Sequence, residues 1–265
     1  ASAVNEDTAN AITGSSIADA EDSSMTSVVI TADRGTFTLT TSSATYDVGT
    51  QGTAASTVTI SGTVTNINVA IATITWTSAA DDSTNAVITV VTTDSSGGAD
   101  TDTISITVNA VNDTPANAGD TAGPSEDVAY SSWTAATDWG YTDVDSDTMV
   151  SITLKSLPSQ GTLTEASSAC GGTCEVDDVI TLANLGNLIY TGASNYNGAD
   201  TFTYTVQDAA LSSSTGTMAL TVAAVDDAPI FTSWTATITE DTAYTLSTSL
   251  FGYSDADSDA LVNIR

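Results

Sequence analysis

The chain of 265 residues carries 33 acidic residues against 3 lysines and arginines, and it has no histidine. Its formal net charge of -30 comes from missing cations rather than surplus acid, and it excludes nucleic acid and anionic lipid as partners. Without histidine no Ser-His or Cys-His pair can form, and no pair of carboxylates is singled out for glycoside chemistry. We therefore expect no enzyme.

In chain order the sequence predicts short strands separated by turns rich in Gly, Ser, Asn and Asp. Six segments alternate apolar and polar residues, which is typical of half-buried antiparallel strands. They are residues 27–32, 35–40, 86–91, 103–108, 201–206 and 218–223. One short helix is predicted over 64–72. No apolar run approaches the roughly 18 residues of a membrane helix, so we expect no direct membrane insertion.

The chain contains three copies of one module. VNAVNDTP at 108–115 recurs 114 residues later as VAAVDDAP at 222–229. Glu126-Asp127 recurs as Glu240-Asp241, and the first copy has Glu6-Asp7 followed by the acidic segment 17–22. WGYTDVDSD at 139–147 recurs as FGYSDADSD at 251–259. A period of this length is the size of a domain, which favours an immunoglobulin-like sandwich over a solenoid.

These patterns predict an all-β fold of tandem immunoglobulin- or cadherin-like antiparallel β-sandwiches joined end to end. We place domain one at 1–111, domain two at 112–225 and the incomplete start of a third repeat at 226–265. Pro115 and Pro229 end the two linkers, since proline fixes φ and removes a ladder donor. A third repeat of this length cannot close a sandwich alone, so we expect the natural chain to continue.

The two cysteines lie in the segment CGGTC, as Cys170 and Cys174. A Gly-Gly turn could bring them together, which favours a disulfide over two free thiols. Two cysteines without histidine make a poor zinc site. A structural disulfide would favour an oxidising compartment.

The order of four segments resembles the cadherin-like tandem repeats of very large bacterial surface and secreted proteins. The segments are VNEDT at 4–8, SGTVTNINVAIATITW at 61–76, VNDTP at 111–115 and YTGASNYNGADTFTYTVQD at 190–208. The resemblance covers essentially the whole chain. It implies an extracellular or cell-surface location and sandwiches rigidified by calcium (Ca2+), strung into an adhesin, a stalk or a fibre.

The resemblance also implies a set of calcium ligands at each junction between repeats. For the first junction they are Glu6, Asp81, Asp82, Asn112, Asp113, Asp143, Asp145 and Asp208. For the second they are Glu126, Asp226, Asp227, Asp255 and Asp257. Domain two has Asn195 and Asn197 where domain one has Asp81 and Asp82, so the second junction is expected to hold fewer or weaker ions.

The chemistry of these residues suits calcium, which takes six to eight oxygen ligands. In an extended D-x-D segment the alternate carboxylates lie on one side, and without a cation they would repel one another. The alternative is that DVDSD and DADSD are solvated acidic loops without a specific ion. An EF-hand is rejected, because the glycine at the sixth position and the later glutamate are missing.

Two non-enzymatic functions remain at this point. The first is a structural fibre, sheath or stalk, in which self-association is the function. The second is a calcium-dependent adhesin that binds a surface or glycan partner. Sugar-binding faces usually present clustered aromatic residues, whereas the four tryptophans are dispersed along the sequence. This dispersion favours the first function.

Overall fold

The computed structural model describes residues 2–20, 24–40, 44–134, 138–165 and 169–263. The chain divides into two compact units, Ala1–Asp113 and Thr114–Arg265. The Glu21-Asp22 pair of the first acidic segment lies outside the described residues.

Unit one is a two-sheet sandwich with one short helix. Its elements are β1 (Ser2–Asn5), β2 (Asn10–Ala11), β3 (Ser24–Ala32), β4 (Thr36–Thr38), β5 (Thr45–Val48), β6 (Thr57–Thr63), α1 (Val64–Ile71), β7 (Thr75–Thr77), β8 (Ala86–Asp94) and β9 (Ala99–Asn109). The large sheet has the order β1-β9-β8-β3-β6-β5, and the small sheet has the order β2-β7-β4. The β1–β9 pair is parallel, and the pair of β8 and β9 is antiparallel.

The core of unit one lies between these sheets and beneath the helix. Val28 and Ile30 of β3 and Ile88 of β8 are fully buried, as their alternation with polar residues predicts. Helix α1 begins where the Thr63 hydroxyl accepts the N–H of Asn66, at 3.2 Å, which satisfies one orphan donor of the first turn. The predicted helix is confirmed. It buries Ile67, Ala70 and Ile71.

Unit two contains a second sandwich followed by a short hairpin. The elements of its sandwich are β10 (Ala116–Asn117), β11 (Asp120–Ala122), β12 (Tyr141–Thr142), β13 (Ser151–Leu154), β14 (Gly161–Glu165), β15 (Gly172–Thr173), β16 (Val179–Thr181), a 3-10 helix (Leu182–Asn187), β17 (Leu188–Gly192), β18 (Gly198–Gln207) and β19 (Gly216–Val222). Its main sheets have the orders β11-β19-β18-β13-β16 and β15-β14-β17, and β10 pairs with β12.

Aromatic rings fill the core of this second sandwich. Trp139 packs edge-on against Tyr204, with ring centroids 5.1 Å apart, and lies 5.5 Å from Trp133. Phe202 completes the group at 6.4 Å from Trp139. Trp133 and Trp139 are therefore core residues, because the segment before β12 packs them against Phe202 and Tyr204 of β18.

The third repeat is represented by β20 (Ile230–Thr232), a 3-10 helix (Thr248–Leu250) and β21 (Gly252–Ser254). The strands β20 and β21 pair in antiparallel fashion. Phe231 and Ile238 are 56% and 63% exposed, so this part encloses no core of its own. Residues 226–263 contain no counterparts of β18 and β19, which supply six of the 17 buried core residues of the second sandwich.

The disulfide predicted between Cys170 and Cys174 is confirmed, with the two Cα atoms 4.6 Å apart. It lies beside the short pairing of β14 with β15, where Gly171 and Gly172 adopt positive φ angles of 62° and 127°. Glycine takes up these angles without steric cost, which allows the chain to reverse between the two sulfurs.

Candidate metal-binding clusters

The glutamates of the first two Glu-Asp pairs, Glu6 and Glu126, are almost fully buried and connect the start of their own repeat to the next linker. Glu6 is 2% exposed, and its Oε1 accepts the N–H of Val111 at 2.8 Å. Glu126 is 1% exposed, and its Oε1 accepts the N–H of Val225 at 2.7 Å. The two units therefore share this side-chain contact as well as the sequence pattern. One carboxylate oxygen of each glutamate is hydrogen-bonded to the linker backbone.

The aspartates of the same two pairs, Asp7 and Asp127, make a second contact that recurs in both units. Asp7 and Asp127 both have φ of 56°. Asp7 Oδ1 accepts the N–H of Asp81 at 3.0 Å, and Asp127 Oδ1 accepts the N–H of Asn195 at 3.1 Å. Asn195 therefore occupies the position of Asp81, as the sequence comparison of the two domains predicts.

Unit one brings three carboxylates together. Ligand oxygens of Asp7, Asp81 and Asp113 all lie within 4.8 Å of one another. Asp81 and Asp113 belong to the predicted ligand set, whereas Asp7 was missed by the sequence analysis. The signal that could have identified it is the recurrence of the Glu-Asp pair at 6–7, 126–127 and 240–241.

Two other predicted ligands of unit one make different contacts. Asp82 Oδ1 accepts the N–H of Thr84 at 3.0 Å, and its Oδ2 lies 3.5 Å from Nη1 of Arg34. The hydrogen bonds from Thr84, together with the Arg34 charge, lower the pKa of Asp82. Asn112 donates its side-chain N–H to the carbonyl oxygen of Asp113 at 2.9 Å, which braces the linker.

The DVDSD and DADSD segments of unit two fold into the same turn. In the first, Asp143 Oδ1 accepts the N–H of Asp147 at 3.1 Å. In the second, Asp255 Oδ1 accepts the N–H of Asp259, also at 3.1 Å. Ser146 and Ser258 both have φ of 65°. One oxygen of the leading aspartate thus shapes the turn, and Asp143 Oδ2 is buried with no hydrogen bond from the described residues.

Two predicted ligands, Asp143 and Asp208, lie close enough to Tyr141 for their charges to affect its pKa. Burial raises the pKa of Tyr141 to about 12, and the charges of Asp143, Asp208 and Asp147 act in the same direction. Asp208 is 1% exposed, and its Oδ1 accepts the N–H of Ala210 at 2.6 Å. Asp145 is half-buried in the same turn.

The densest group of acids in unit two surrounds Asp227, at the end of the second linker. Its N–H donates to Asp257 Oδ2 at 2.6 Å. Burial raises the pKa of Asp227, and the charges of Asp127, Asp257, Glu126 and Asp255 raise it further, in that order. Its Oδ2 is buried and accepts no hydrogen bond from the described residues. Four predicted ligands, Glu126, Asp227, Asp255 and Asp257, therefore lie together, whereas Asp226 is exposed.

The basic residues of the described chain are engaged outside these groups. Lys155 Nζ lies 2.8 Å from Asp177 Oδ1, and Arg34 contacts Asp82. The Asp7-Asp81-Asp113 group and the group around Asp227 therefore have neither of these cations as a partner. A buried carboxylate oxygen without a donor, in the field of four other acids, is suited to a hard cation such as calcium.

Residues 112–221 match the family model of the bacterial Ig domain. The fold is immunoglobulin-like. The resemblance stated from the sequence is confirmed at this level, as is the prediction of an all-β chain. Bacterial Ig domains are usually extracellular or surface modules and are typically non-catalytic. None of the curated proteins is similar to the chain.

Cadherin extracellular domains are among the solved structures to which the chain is similar. Protocadherin Gamma B2 extracellular cadherin domains 1-5 are 15% identical, with a TM-score of 0.43, over 91% of this chain and 42% of that one. Human CDH23 EC21-23 is 15% identical, with a TM-score of 0.41, over 86% of this chain and 68% of that one. Human Mucin-like Protocadherin EC1-2 is 15% identical, with a TM-score of 0.34, over 84% of this chain and 95% of that one.

Among the described residues, no helix has the length and apolar character needed to cross a membrane.

Proposed function

We propose that the chain is a non-enzymatic segment of an extracellular array whose repeats are stiffened by calcium at their junctions. The observation that carries this proposal is the group around Asp227. It combines Glu126 and Asp127 from domain two, Asp227 from the linker, and Asp255 and Asp257 from the third repeat. An ion held there would couple two repeats through one set of ligands.

Physical chemistry supports a cation at this position. Two carboxylates about 4 Å apart repel by about 1 kcal/mol even in bulk water, and by more near a protein surface. The short contact from the Asp227 N–H to Asp257 holds the group together despite this repulsion. Cadherin-like domains bind calcium in general. The carboxylates around Asp227 would supply oxygen ligands to such an ion.

The ligand set proposed for the first junction adds the loops of unit two to the acids of unit one. The Asp7-Asp81-Asp113 group, together with Asn112 and the buried Glu6, would supply one side. Asp143, Asp145 and Asp208 would supply the other. Asp82 is the weakest member of this set, because it already pairs with Arg34.

The test is calcium titration of the full chain by isothermal calorimetry, with Asp257→Asn and Asp47→Asn as matched variants. Asp47 is exposed on β5 and belongs to neither group. We expect Asp257→Asn to remove or weaken one binding event about tenfold and Asp47→Asn to leave the titration unchanged. If Asp257→Asn keeps every binding event of the parent, or if the parent binds no calcium, the acidic segments are solvated loops without a specific ion.

Self-association into a fibre is the further part of the proposal. The large sheet of unit one ends at β5, where Val48 is 53% exposed, and a sheet of unit two ends at β16, where Val179 is 48% exposed. Edges of this kind can pair with strands of other copies, since almost no lysines guard them: β5 has none, and near β16 there is only Lys155, which pairs with Asp177. Sedimentation velocity at increasing concentration in millimolar calcium should show oligomers, and a monomer at every concentration would reject this part. A calcium-dependent adhesin, in which a surface or glycan partner replaces the second copy, is the other outcome.

A further inference from the structure

Domain one has a groove that its own sandwich does not fill. The strands of the large sheet are long, with 11 residues in β9, whereas β2 and β7 of the small sheet have 2 and 3 residues. The β8–β9 hairpin therefore extends past the small sheet. The cavity left beneath the overhang has a volume of about 580 Å³, within the range of about 300 to 1,000 Å³ of ligand pockets.

The floor of this groove is apolar and its far wall is held in place. Met25, Ile30, Ile71 and Ile74 line the floor, and all four are core residues. The opposite wall is the segment 14–19. Asn68 of α1 fixes that segment from both sides, because its Oδ1 accepts the N–H of Ile17 at 2.7 Å and its Nδ2 donates to the Ile17 carbonyl at 2.8 Å.

The hairpin wall carries two carboxylates on the face that points toward the core. Asp102 pairs directly with Val90, and Asp100 pairs with Thr92, so their side chains share the face of the buried Ile88. Both are exposed, and neither carboxylate forms a hydrogen bond or ion pair with the described residues. An apolar floor beside unpartnered carboxylates complements a ligand with an apolar stem and a cationic head, as in lysine and arginine.

The outer edge of β9 is open beside this groove. In the described chain β1 covers only residues 106–109, which leaves 99–105 without a strand on that side. The Asp94 N–H donates to Gly98 at the hairpin turn, so alternation along the ladder directs the N–H and C=O groups of Thr101 and Thr103 outward. These groups suit a backbone partner rather than a small cation.

We propose that this edge of domain one captures an extended, basic segment of a chemically different protein. The segment adds as a strand beside β9, and its lysine or arginine side chains lie opposite Asp100 and Asp102, with their stems over the groove. A second copy of this chain is disfavoured as the partner. Its 3 basic residues, Arg34, Lys155 and Arg265, are far apart in the sequence, so it offers no segment with basic side chains for both Asp100 and Asp102.

The test uses the full chain in chelator, so that its outcome is independent of the proposed calcium sites. The probe is a fluorescein-labelled heptapeptide of alternating lysine and valine, and binding is followed by fluorescence anisotropy. The matched peptide has glutamate in place of lysine. We expect only the lysine peptide to bind. Asp102→Asn should lower the affinity for the lysine peptide about fivefold, which corresponds to one surface ion pair of about 1 kcal/mol. Asp47→Asn should leave this affinity unchanged.

The strand geometry is tested separately from the charge. Thr103→Pro removes an outward donor and should abolish binding while the thermal melt of domain one stays close to that of the parent, because edge strands tolerate proline. A lysine-valine peptide that is N-methylated at alternate residues should fail to bind the parent chain, whatever Thr103→Pro does to folding. Four results would each overturn the proposal. The first two are equal binding of the lysine and glutamate peptides, and equal effects of Asp102→Asn and Asp47→Asn. The others are full binding of the N-methylated peptide, and competition by spermidine that is as effective as competition by the unlabelled lysine peptide.

Discussion

At the scale of the residue, a buried carboxylate of domain two, Asp200, accepts several hydrogen bonds. Asp200 is 4% exposed and accepts the N–H groups of Ser159 and Gln160 at 2.9 and 3.0 Å. It also accepts the hydroxyl of Tyr190 at 3.0 Å. Asp200 lies on β18 and Tyr190 on β17, so this carboxylate joins the two sheets of the sandwich.

We predict that Asp200→Ala lowers the free energy of unfolding of domain two by about 3 kcal/mol, since several buried donors lose their acceptor. Urea unfolding followed by the fluorescence of the buried Trp133 and Trp139 measures this change. Asp47→Ala is the control, and at an exposed site it should stay within about 0.5 kcal/mol of the parent. A similar small change for Asp200→Ala would show that water replaces these bonds.

The tyrosines of domain two predict sensitivity to alkali. Burial raises the pKa of Tyr190 and Tyr204 above the ordinary value of 10.0, and for Tyr190 the bond to Asp200 adds to the effect. A raised folded pKa means that the stabilisation is fully present below about pH 10 and is lost as the pH rises above it. Circular dichroism and tyrosinate absorbance between pH 9 and about 12 should show unfolding and ionisation together.

Tyr190→Phe separates the two contributions. It removes one ionisable group and one hydrogen bond, so the variant should be less stable at pH 7 but should lose less of its stability between about pH 10 and 12. A parent chain whose tyrosines ionise near pH 10 without unfolding would contradict the prediction.

At the scale of the element, the disulfide closes a short loop beside the β14–β15 pair. The two cysteines are separated by 4 positions, so the loop-closure entropy removed from the unfolded chain amounts to about 2 kcal/mol. This is below the 5 to 15 kcal/mol that is typical of a folded domain. Reduction, or Cys170→Ser with Cys174→Ser, should lower the melting temperature without unfolding domain two, as differential scanning calorimetry can measure. Unfolding at 25 °C on reduction would contradict it.

At the scale of the whole molecule, calcium should control the stiffness of the array. Extracellular modules bind calcium with dissociation constants of about 10⁻⁴ to 10⁻³ M, so one site adds only about 0.4 to 1.4 kcal/mol at millimolar calcium. Chelation should therefore loosen the junctions before it melts the sandwiches. Small-angle scattering of the full chain should show a broader distribution of maximum dimensions in chelator than in calcium. Identical distributions would favour solvated acidic loops.

Single variants should affect one junction at a time. Asp145→Ala is expected to increase the spread of dimensions through the first junction, and Asp257→Ala through the second, since each removes one shared oxygen ligand and leaves its neighbours repelling one another. Distances between spin labels placed on either side of each linker measure the two junctions separately. Equal broadening of both distance distributions by either variant would contradict independent sites.

The all-β fold, the repeat and six of the strands could be predicted from the sequence, because alternation, turn residues and a domain-length period can be read along the chain. The 103–108 and 201–206 segments lie within β9 and β18 as predicted. The grouping of the acidic side chains could not be predicted in this way, because it depends on the folded loops. Asp81 and Asp113 join Asp7, whereas Asp82 turns to Arg34, because side chains adjacent in sequence point to different neighbours once the loop is folded. The burial of Asp200 and the groove under β8 and β9 follow from contacts between distant strands, and local patterns do not encode them.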